Sequence, residues 1–391
     1  MVFLFEIATE ANKAIQLLEQ KGYEAYLVGG CVRDYILKRP TNDYDITTNA
    51  TPDEIKAVFC DFKVIETGIK HGTVTVLINN IPLEITTYRL DGDYKDNRHP
   101  EFVEFSKKLS DDLCRRDFTV NSLAYNGDIV DYFGGIDDIN AKIIRCVGDP
   151  DRRFNEDGLR ILRALRFASV LGFEIEDNTG LSIISNKHLI KNISAERIAD
   201  ELKKLLLGTN AFEIIKKYGV VFSEIFDGTD FTDRADSISK CPIDIAVRMS
   251  SFFLFDEDYK NHLSYLRLDN RLYGRCISAI GNYSYIIKPD KTDVKKFLRL
   301  YGVQALDDVL LLKQAEGTDV SFVREIFCSV IGNNECFAVS ELNIKGDDLI
   351  SLGLKNKEIG EKLNLLLDLV IEGKLDNDRD VLYKYIRENI Q

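Results

Sequence analysis

"YLVGGCVRDYILKRPTNDYDI", residues 26–46, sets two glycines, an arginine and two alternating aspartates within one short stretch. "AYLVGG" reads as a strand running into a Gly turn, and "CVRDYIL" as the start of a helix. Gly29 and Gly30 would let backbone N–H groups approach a phosphate at that helix start. Arg33 would add a guanidinium fork for phosphate oxygens. Most Gly-Gly pairs are only tight turns, and the pattern is not GxxxxGK[ST], so a P-loop is excluded. "YDITTN" reads as a second strand, on which residues two apart share a face. Asp43 and Asp45 therefore converge, while Tyr44 and Ile46 face away. Two like charges side by side are unfavourable unless a cation shares them, and hard carboxylate oxygens suit Mg²⁺. Taken alone, Asp-x-Asp reads first as a solvated turn.

A third carboxylate changes that reading. "TVTVLINNIPLEITTYRL" has the pattern of a hairpin around Asn79-Asn80. Glu84 lies in its second arm, among apolar and β-branched residues. Glu is a poor strand residue and is rarely buried without a partner. If that arm lies beside the Asp43–Asp45 strand, three carboxylates make a two-metal site. The alternative is an exposed strand face.

Two further stretches carry charge in a chemical arrangement. In "LCRRDFTVNSLAYN", Arg115, Arg116 and Asp117 precede an amphipathic run. An arginine there could reach a triphosphate or a ribose. Asp117 could cap a helix beginning at Phe118 or fix an arginine, and Asn121 could add a polar contact. In "NEDGLRILRALRF", helical spacing spreads Arg160, Arg163 and Arg166 over one broad face and Ile161, Leu162 and Leu165 over the other. Asp157 stands three before Arg160, which makes them neighbours on a helix. Spacing alone reads as a surface salt bridge. The chemical alternative is an acceptor beside a donor. Cytosine offers its N4 amino group beside N3, and adenine its N6 amino group beside N1. Uracil and guanine would leave unpaired polar groups, at about 1–3 kcal/mol each.

The whole chain sets bounds on these readings. Its 391 residues exceed one compact core and predict two or more domains. No apolar run is long enough to span a bilayer, and Glu6 and Glu10 interrupt the place where a signal peptide would continue. We therefore expect a cytoplasmic protein with no membrane partner. The cysteines are scattered with no CxxC pair, and the histidines form no HxxxH pair, so neither a disulfide frame nor a protein-ligated zinc is supported. The net charge of −13 is not that of an obvious nucleic-acid binder, so any basic groups for one must be concentrated locally. "KPDKTDVKKFLRLYG" and "LIKNISAERIADELKK" are candidates for that, although such runs are commonly solvated helix faces. After about Asp149 convincing strands disappear. Helical patterns follow to the end, with boundaries near Gly208, Pro289 and Gly346. This predicts an α+β protein, an α/β head followed by an all-α remainder.

With these residues assembled, the chain resembles the class II tRNA nucleotidyltransferases, the bacterial-type CCA-adding enzymes of the DNA polymerase beta superfamily. "GGCVRD" with "DYD" is similar to the family's catalytic motif, "RRDFTVNSLAY" to its RRD motif, and "DYFGGIDDI" to its hinge motif. "EDGLRILRALRF" is similar to its EDxxR motif, and "SAERIADELKKLL" to the neck helix that follows. The resemblance implies that Asp43, Asp45 and Glu84 bind Mg²⁺ and carry catalysis. It implies that Gly29, Gly30, Arg33 and Arg116 contact the nucleotide's phosphates or sugar. Asp157 and Arg160 would read the base, oriented by Glu156, and Arg163 and Arg166 would face the triphosphate. The implied division is a nucleotidyltransferase head at 1–148, a base-recognising neck at 149–208, a body at 209–289 and a tRNA-binding tail at 290–391. The implied activity is template-independent addition of C, C and A to tRNA from CTP and ATP. An A-adding enzyme, a CC-adding enzyme or a poly(A) polymerase is the alternative. Outside the class stands a non-catalytic nucleotide- or RNA-binding module. Residues 91–100, "DGDYKDNRHP", fill the place of a loop that CC-only members shorten, which favours a chain able to add A. No hydrolytic extension is expected.

Overall fold

The computed structural model describes residues 9–41, 43–92, 103–355 and 357–389. The chain divides into two compact units, Met1–Ala235 and Asp236–Gln391.

The first unit is built on a seven-stranded mixed sheet. Its strands are β1 (Ala25–Val28), β2 (Asp45–Thr48), β3 (Lys63–Ile65), β4 (Thr73–Ile78) and β5 (Ile81–Thr87), with two more after a separate ribbon. That ribbon pairs β6 (Arg89–Asp91) with β7 (Val103–Phe105), and most of the loop at 91–100 lies outside the described residues. β8 (Leu123–Asn126) and β9 (Asp128–Asp131) complete the sheet in the order β3-β4-β5-β2-β1-β8-β9. The hairpin of β4 and β5 turns at Asn79 and Asn80, both with positive φ, as a two-residue hairpin turn requires. β2 and β5 run parallel, and Asp45 is the register partner of Glu84.

Helices α1 (Thr9–Gln20), α2 (Gly30–Ile36), α3 (Pro52–Val58), α4 (Leu109–Cys114) and α5 (Gly135–Ala141) accompany the sheet. In α1, Ala11, Ile15 and Leu18 are buried on one stripe, and the chain stops at Gly22 with φ 85°. Behind the sheet's central strands, Val28, Tyr88, Leu109, Leu113 and Ala124 form one apolar cluster. The expected helix after Asp117 is only a single 3₁₀ turn, Thr119–Asn121, because the chain immediately enters β8. Asp131 closes the next turn by accepting from the backbone N–H groups of Phe133, Gly135 and Ile136.

Strands do not vanish entirely beyond Asp149. A short parallel pair joins β10 (Ile143–Ile144) to β11 (Glu174–Ile175). Otherwise the unit continues as α6 (Pro150–Glu156), α7 (Leu159–Leu171), α8 (Asp177–Ser185), α9 (Ala195–Leu207) and α10 (Ala211–Tyr218). α7 packs along α9, burying Leu162 and Leu165 of one and Ile198 and Leu202 of the other. α9 ends at Gly208, where a Cβ would stand 2.1 Å from the Ser169 hydroxyl.

The second unit is helical among its described residues. It includes α11 (Ala235–Lys240), α12 (Ile245–Phe252), α13 (Tyr259–Tyr265), α14 (Asn270–Gly281), α15 (Lys291–Tyr301), α16 (Val303–Ala315) and α17 (Ser321–Gly332). α18 (Gly346–Ser351), α19 (Lys357–Ile371) and α20 (Arg379–Glu388) follow. One apolar cluster joins Val294, Phe297 and Leu298 of α15 to α16 and α17, and another joins α18, α19 and α20. Among the described residues, no helix is long and apolar enough to cross a membrane.

Candidate active site

A cavity of about 480 Å³ opens in the first unit beside the sheet and α7. Its lining includes seven arginines, Arg33, Arg115, Arg116, Arg160, Arg163, Arg166 and Arg197, and five aspartates, Asp34, Asp43, Asp45, Asp117 and Asp157. Gly29, Gly30, Cys31, Asn121 and Phe167 also line it. Every residue singled out for metal or nucleotide contact in the sequence is therefore on this wall, except Glu84.

Gly29 joins β1 to α2 at φ 77°, a conformation open to glycine, and a Cβ there would stand 3.0 Å from Nη1 of Arg116. The turn is held by its N–H, which donates to the Leu123 carbonyl at 3.1 Å. The glycine is thus what lets Arg116 lie against the backbone at the mouth of α2.

Asp43 precedes β2 and Asp45 opens it, so only the second is a strand residue, yet both face the cavity. Burial, then Asp43 beside it, pushes the Asp45 carboxyl up to about 6; Arg116 opposes this and Glu84 adds to it. Glu84 is exposed on β5, in register with Asp45. The oxygens of the three carboxylates do not all come within 4.8 Å of one another, a spacing that like charges favour. A half-buried carboxylate with two acidic neighbours has an unbalanced negative charge, and oxygen-only donors fit a hard divalent cation.

The arginines are held differently. Arg33 pairs with Asp34 at 2.9 Å and donates from Nη1 to Oδ1 of Asn121 at 2.6 Å. Asn121 in turn donates to Asp117 at 3.1 Å, and Arg163 of α7 pairs with Asp117 at 2.5 Å. One hydrogen-bonded chain therefore links α2, the 3₁₀ turn and α7. Asp117 also accepts from the Phe118 N–H at 2.9 Å, so it both fixes an arginine and closes a turn. Burial by itself would raise the Asp117 carboxyl, but Arg163 and Asn121, with Arg160 nearby, hold it down to about 2. Asp112, fully buried on α4, pairs with Arg115 at 2.7 Å and Arg116 at 3.2 Å. Those two arginines keep its carboxyl below the usual range despite burial.

Asp157 and Arg160 do not pair with each other. Asp157 lies in the break between α6 and α7, where its Oδ1 accepts from the Leu159 N–H at 3.0 Å. Its Oδ2 pairs with Arg197 of α9 at 3.1 Å. Arg160, only 8% exposed, pairs with Glu156 at 2.7 Å and donates to the carbonyls of Arg153 and Arg115. The surface salt bridge that spacing suggests is absent because Asp157 is not in the helix. Acceptor and donor both line the cavity, each held by other residues. Arg166 pairs with the buried Glu201 of α9 at 2.5 Å.

Sequence reasoning missed Asp112, Arg197, Glu201 and Phe167. Asp112 had a local signal, since it stands three and four residues before the arginines it holds. Phe167 had one too, four residues after Arg163 on the same helix, whereas Arg197 and Glu201 meet the site only through the packing of α7 on α9.

The two long basic runs are mostly neutralised within their own units. In the second unit, Lys291 and Lys295 pair with Glu335 at 2.5 and 2.8 Å, Lys296 with Glu372 at 3.4 Å, and Arg299 with Asp368. In the first unit, Lys191 pairs with Glu224 at 2.7 Å, Arg197 with Asp157 at 3.1 Å and Lys203 with Asp200 at 2.8 Å; Lys187, just before the run, also pairs with Glu224 at 2.6 Å, and the two lysines hold that carboxyl down to about 2.

A mixed sheet carrying acidic residues at one strand, a Gly-Gly turn and an arginine wall is the head of a nucleotidyltransferase. Residues 25–145 match the family model described as the poly A polymerase head domain, and 172–218 match a model described as a probable RNA and SrmB-binding site of polymerase A. The chain is 35% identical to the CCA-adding enzyme of Lactobacillus delbrueckii subsp. bulgaricus, over 97% of its length and 98% of that protein's. It is 41% identical to the CCA-adding enzyme of Anoxybacillus flavithermus over 67% and 68% of the two chains. The crystal structure of the Bacillus stearothermophilus CCA-adding enzyme in complex with CTP superposes with a TM-score of 0.81 and 30% identity, covering 97% of this chain and 96% of that one. The chain belongs to the tRNA nucleotidyltransferase family of CCA-adding enzymes, and it is an enzyme of that kind.

Proposed function

We propose that this enzyme adds C, C and A to the 3′ end of tRNA, taking CTP and ATP in the one arginine-lined cavity and releasing pyrophosphate. The observation that carries this reading is the cavity itself, whose lining joins Asp43 and Asp45 to Arg33 of α2, Arg115 and Arg116 just after α4, and Arg160, Arg163 and Arg166 of α7. The B. stearothermophilus relative was solved with CTP, which supports a nucleotide in the corresponding place.

Each group then has a task. Arg33, Arg116, Arg163 and Arg166 bind the triphosphate, with the Gly29-Gly30 turn allowing close backbone approach. Asp157 accepts from the exocyclic amino group of cytosine or adenine, while Arg160 donates to the adjacent ring nitrogen. Glu156, Arg197 and the Leu159 N–H hold these two groups in place, so selection needs no nucleic-acid template. Asp43, Asp45 and Glu84 are the residues that would hold Mg²⁺. When bound, Mg²⁺ would supply Lewis-acid activation of the attacking 3′-hydroxyl and charge neutralisation at the leaving phosphates. The arginines orient the triphosphate for in-line attack at its α-phosphorus and retain pyrophosphate until release.

The head at 1–148 carries transfer, the neck at 149–208 reads the base, and the tail at 290–391, joined to the neck through the body at 209–289, binds tRNA. The enzyme acts in the cytoplasm, where its tRNA substrate resides. The test is single-nucleotide extension of tRNA transcripts ending before the first C, after CC and after CCA. The expected result is C, C and A on the first, A on the second and nothing on the third. Addition of A alone to the CC end would make it an A-adding enzyme, and stopping after CC a CC-adding one. Long A tails would make it a poly(A) polymerase.

A further inference from the structure

The side chain at the centre of the arginine wall is aromatic. Phe167, on α7, is 7% exposed and lines the cavity. The guanidinium of Arg166 lies 3.8 Å from its ring centroid, that of Arg33 lies 5.1 Å away, and that of Arg163 lies 5.3 Å away. All three distances are within cation–π range. The ring's own position is fixed by an edge contact with Phe118, fully buried, at 5.8 Å and 78°. Each of the three arginines has a carboxylate on another side, Asp34 for Arg33, Asp117 for Arg163 and Glu201 for Arg166. Three cations that converge on one place repel one another, and carboxylates alone would draw each one away from the cavity. A ring whose faces are negative attracts all three without taking up a hydrogen-bond donor, so the N–H groups not already given to Asp34, Asn121, Asp117 and Glu201 remain for a ligand.

We propose that Phe167 is the positioning residue of the triphosphate site, a π platform that holds Arg33, Arg163 and Arg166 around the β- and γ-phosphates. This rests on the reading of the cavity as a triphosphate site. The ring's cation–π contacts are with Arg33, Arg163 and Arg166, so its contribution falls on the phosphate tail. A leucine at 167 would fill most of the volume and supply no quadrupole.

The experiment is titration of wild type, Phe167→Leu and Phe167→Tyr with inorganic tripolyphosphate, CTP and CMP, with thermal melting alongside. Phe167→Leu is expected to weaken tripolyphosphate and CTP by about tenfold, while CMP changes less than twofold and Phe167→Tyr restores wild-type binding. In turnover, the KM for CTP should rise with little change in the C-over-U preference. Should Phe167→Leu not fold, 3,5-difluorophenylalanine at 167 keeps the shape and weakens the ring's negative face, and it should weaken tripolyphosphate in the same sense. Equal loss of CMP and CTP, or unchanged tripolyphosphate binding in Phe167→Leu or in the difluorophenylalanine variant, would overturn the proposal. If wild type itself does not bind tripolyphosphate, the triphosphate reading of the cavity fails and the role of Phe167 fails with it.

Discussion

The two ends of the cavity are built on opposite electrostatic plans. At the arginine end each guanidinium has an internal carboxylate: Asp34 for Arg33, Asp112 for Arg116, Glu156 for Arg160, Asp117 for Arg163 and Glu201 for Arg166. That end is organised before any ligand arrives. At the acidic end Asp45 faces Asp43 and Glu84, and its carboxyl is pushed up to about 6. Here the protein leaves a charge that something else must balance. A binding wall gains from pre-organisation. A metal end must instead remain incomplete, because a carboxylate already neutralised by an arginine has little left for a cation.

The largest effect that would break this comparison lies at the acidic end. Asp45→Ala is expected to lower nucleotide transfer by on the order of 10³-fold or more, measured by tRNA extension. Its metal-free melting temperature should be no lower than wild type's, since a repelling charge has been removed. Near-normal turnover by that variant would remove the cation from the account.

At the arginine end the signs reverse. Asp117→Ala leaves Arg163, whose side chain is about a third exposed, without its partner and the buried Asn121 amide and Phe118 N–H without their acceptor, and should destabilise the first unit by about 1–3 kcal/mol, read as a lower urea midpoint. The same residue gives a pH signature. Its folded pKa of about 2 lies below the ordinary carboxylate value. The stability it contributes is present above pH ~4 and lost as pH falls through ~2, an amount of about 2–3 kcal/mol. Acid titration of wild type against Asp117→Asn should show that step in the first and not in the second.

These contrasts also mark what the sequence could reveal. The Gly29-Gly30 turn, the Asn79-Asn80 hairpin and the Asp43/Asp45 pairing are set by neighbours within a few residues, and local period and turn chemistry express them directly. The placement of Asp157 was less legible. A helical pattern drawn through "NEDGLRILRALRF" makes Asp157 and Arg160 neighbours, whereas the break at Asp157–Gly158 sends the first to Arg197 and the second to Glu156. Glu201 and Arg166 are 35 positions apart in the chain, and nothing in either helix alone announces their pairing. The run "KPDKTDVKKFLRLYG" looked like a basic surface, but a list of residues does not show that Glu335, Glu372 and Asp368 lie opposite it. The smallest expected effect follows. Lys296→Ala should change tRNA binding by less than about threefold, because an exposed pair that already shares its charge contributes 0–1 kcal/mol. A larger loss would show that Glu372 yields the lysine to RNA.

The most direct test of the two-ended cavity is calorimetric titration of CTP into wild type in EDTA and again in Mg²⁺, with tRNA extension measured under both conditions. The account predicts CTP binding in EDTA within about tenfold of that in Mg²⁺, with extension only in Mg²⁺. Loss of CTP binding in EDTA would contradict a pre-organised arginine end, and extension in EDTA would contradict a metal-dependent acidic one.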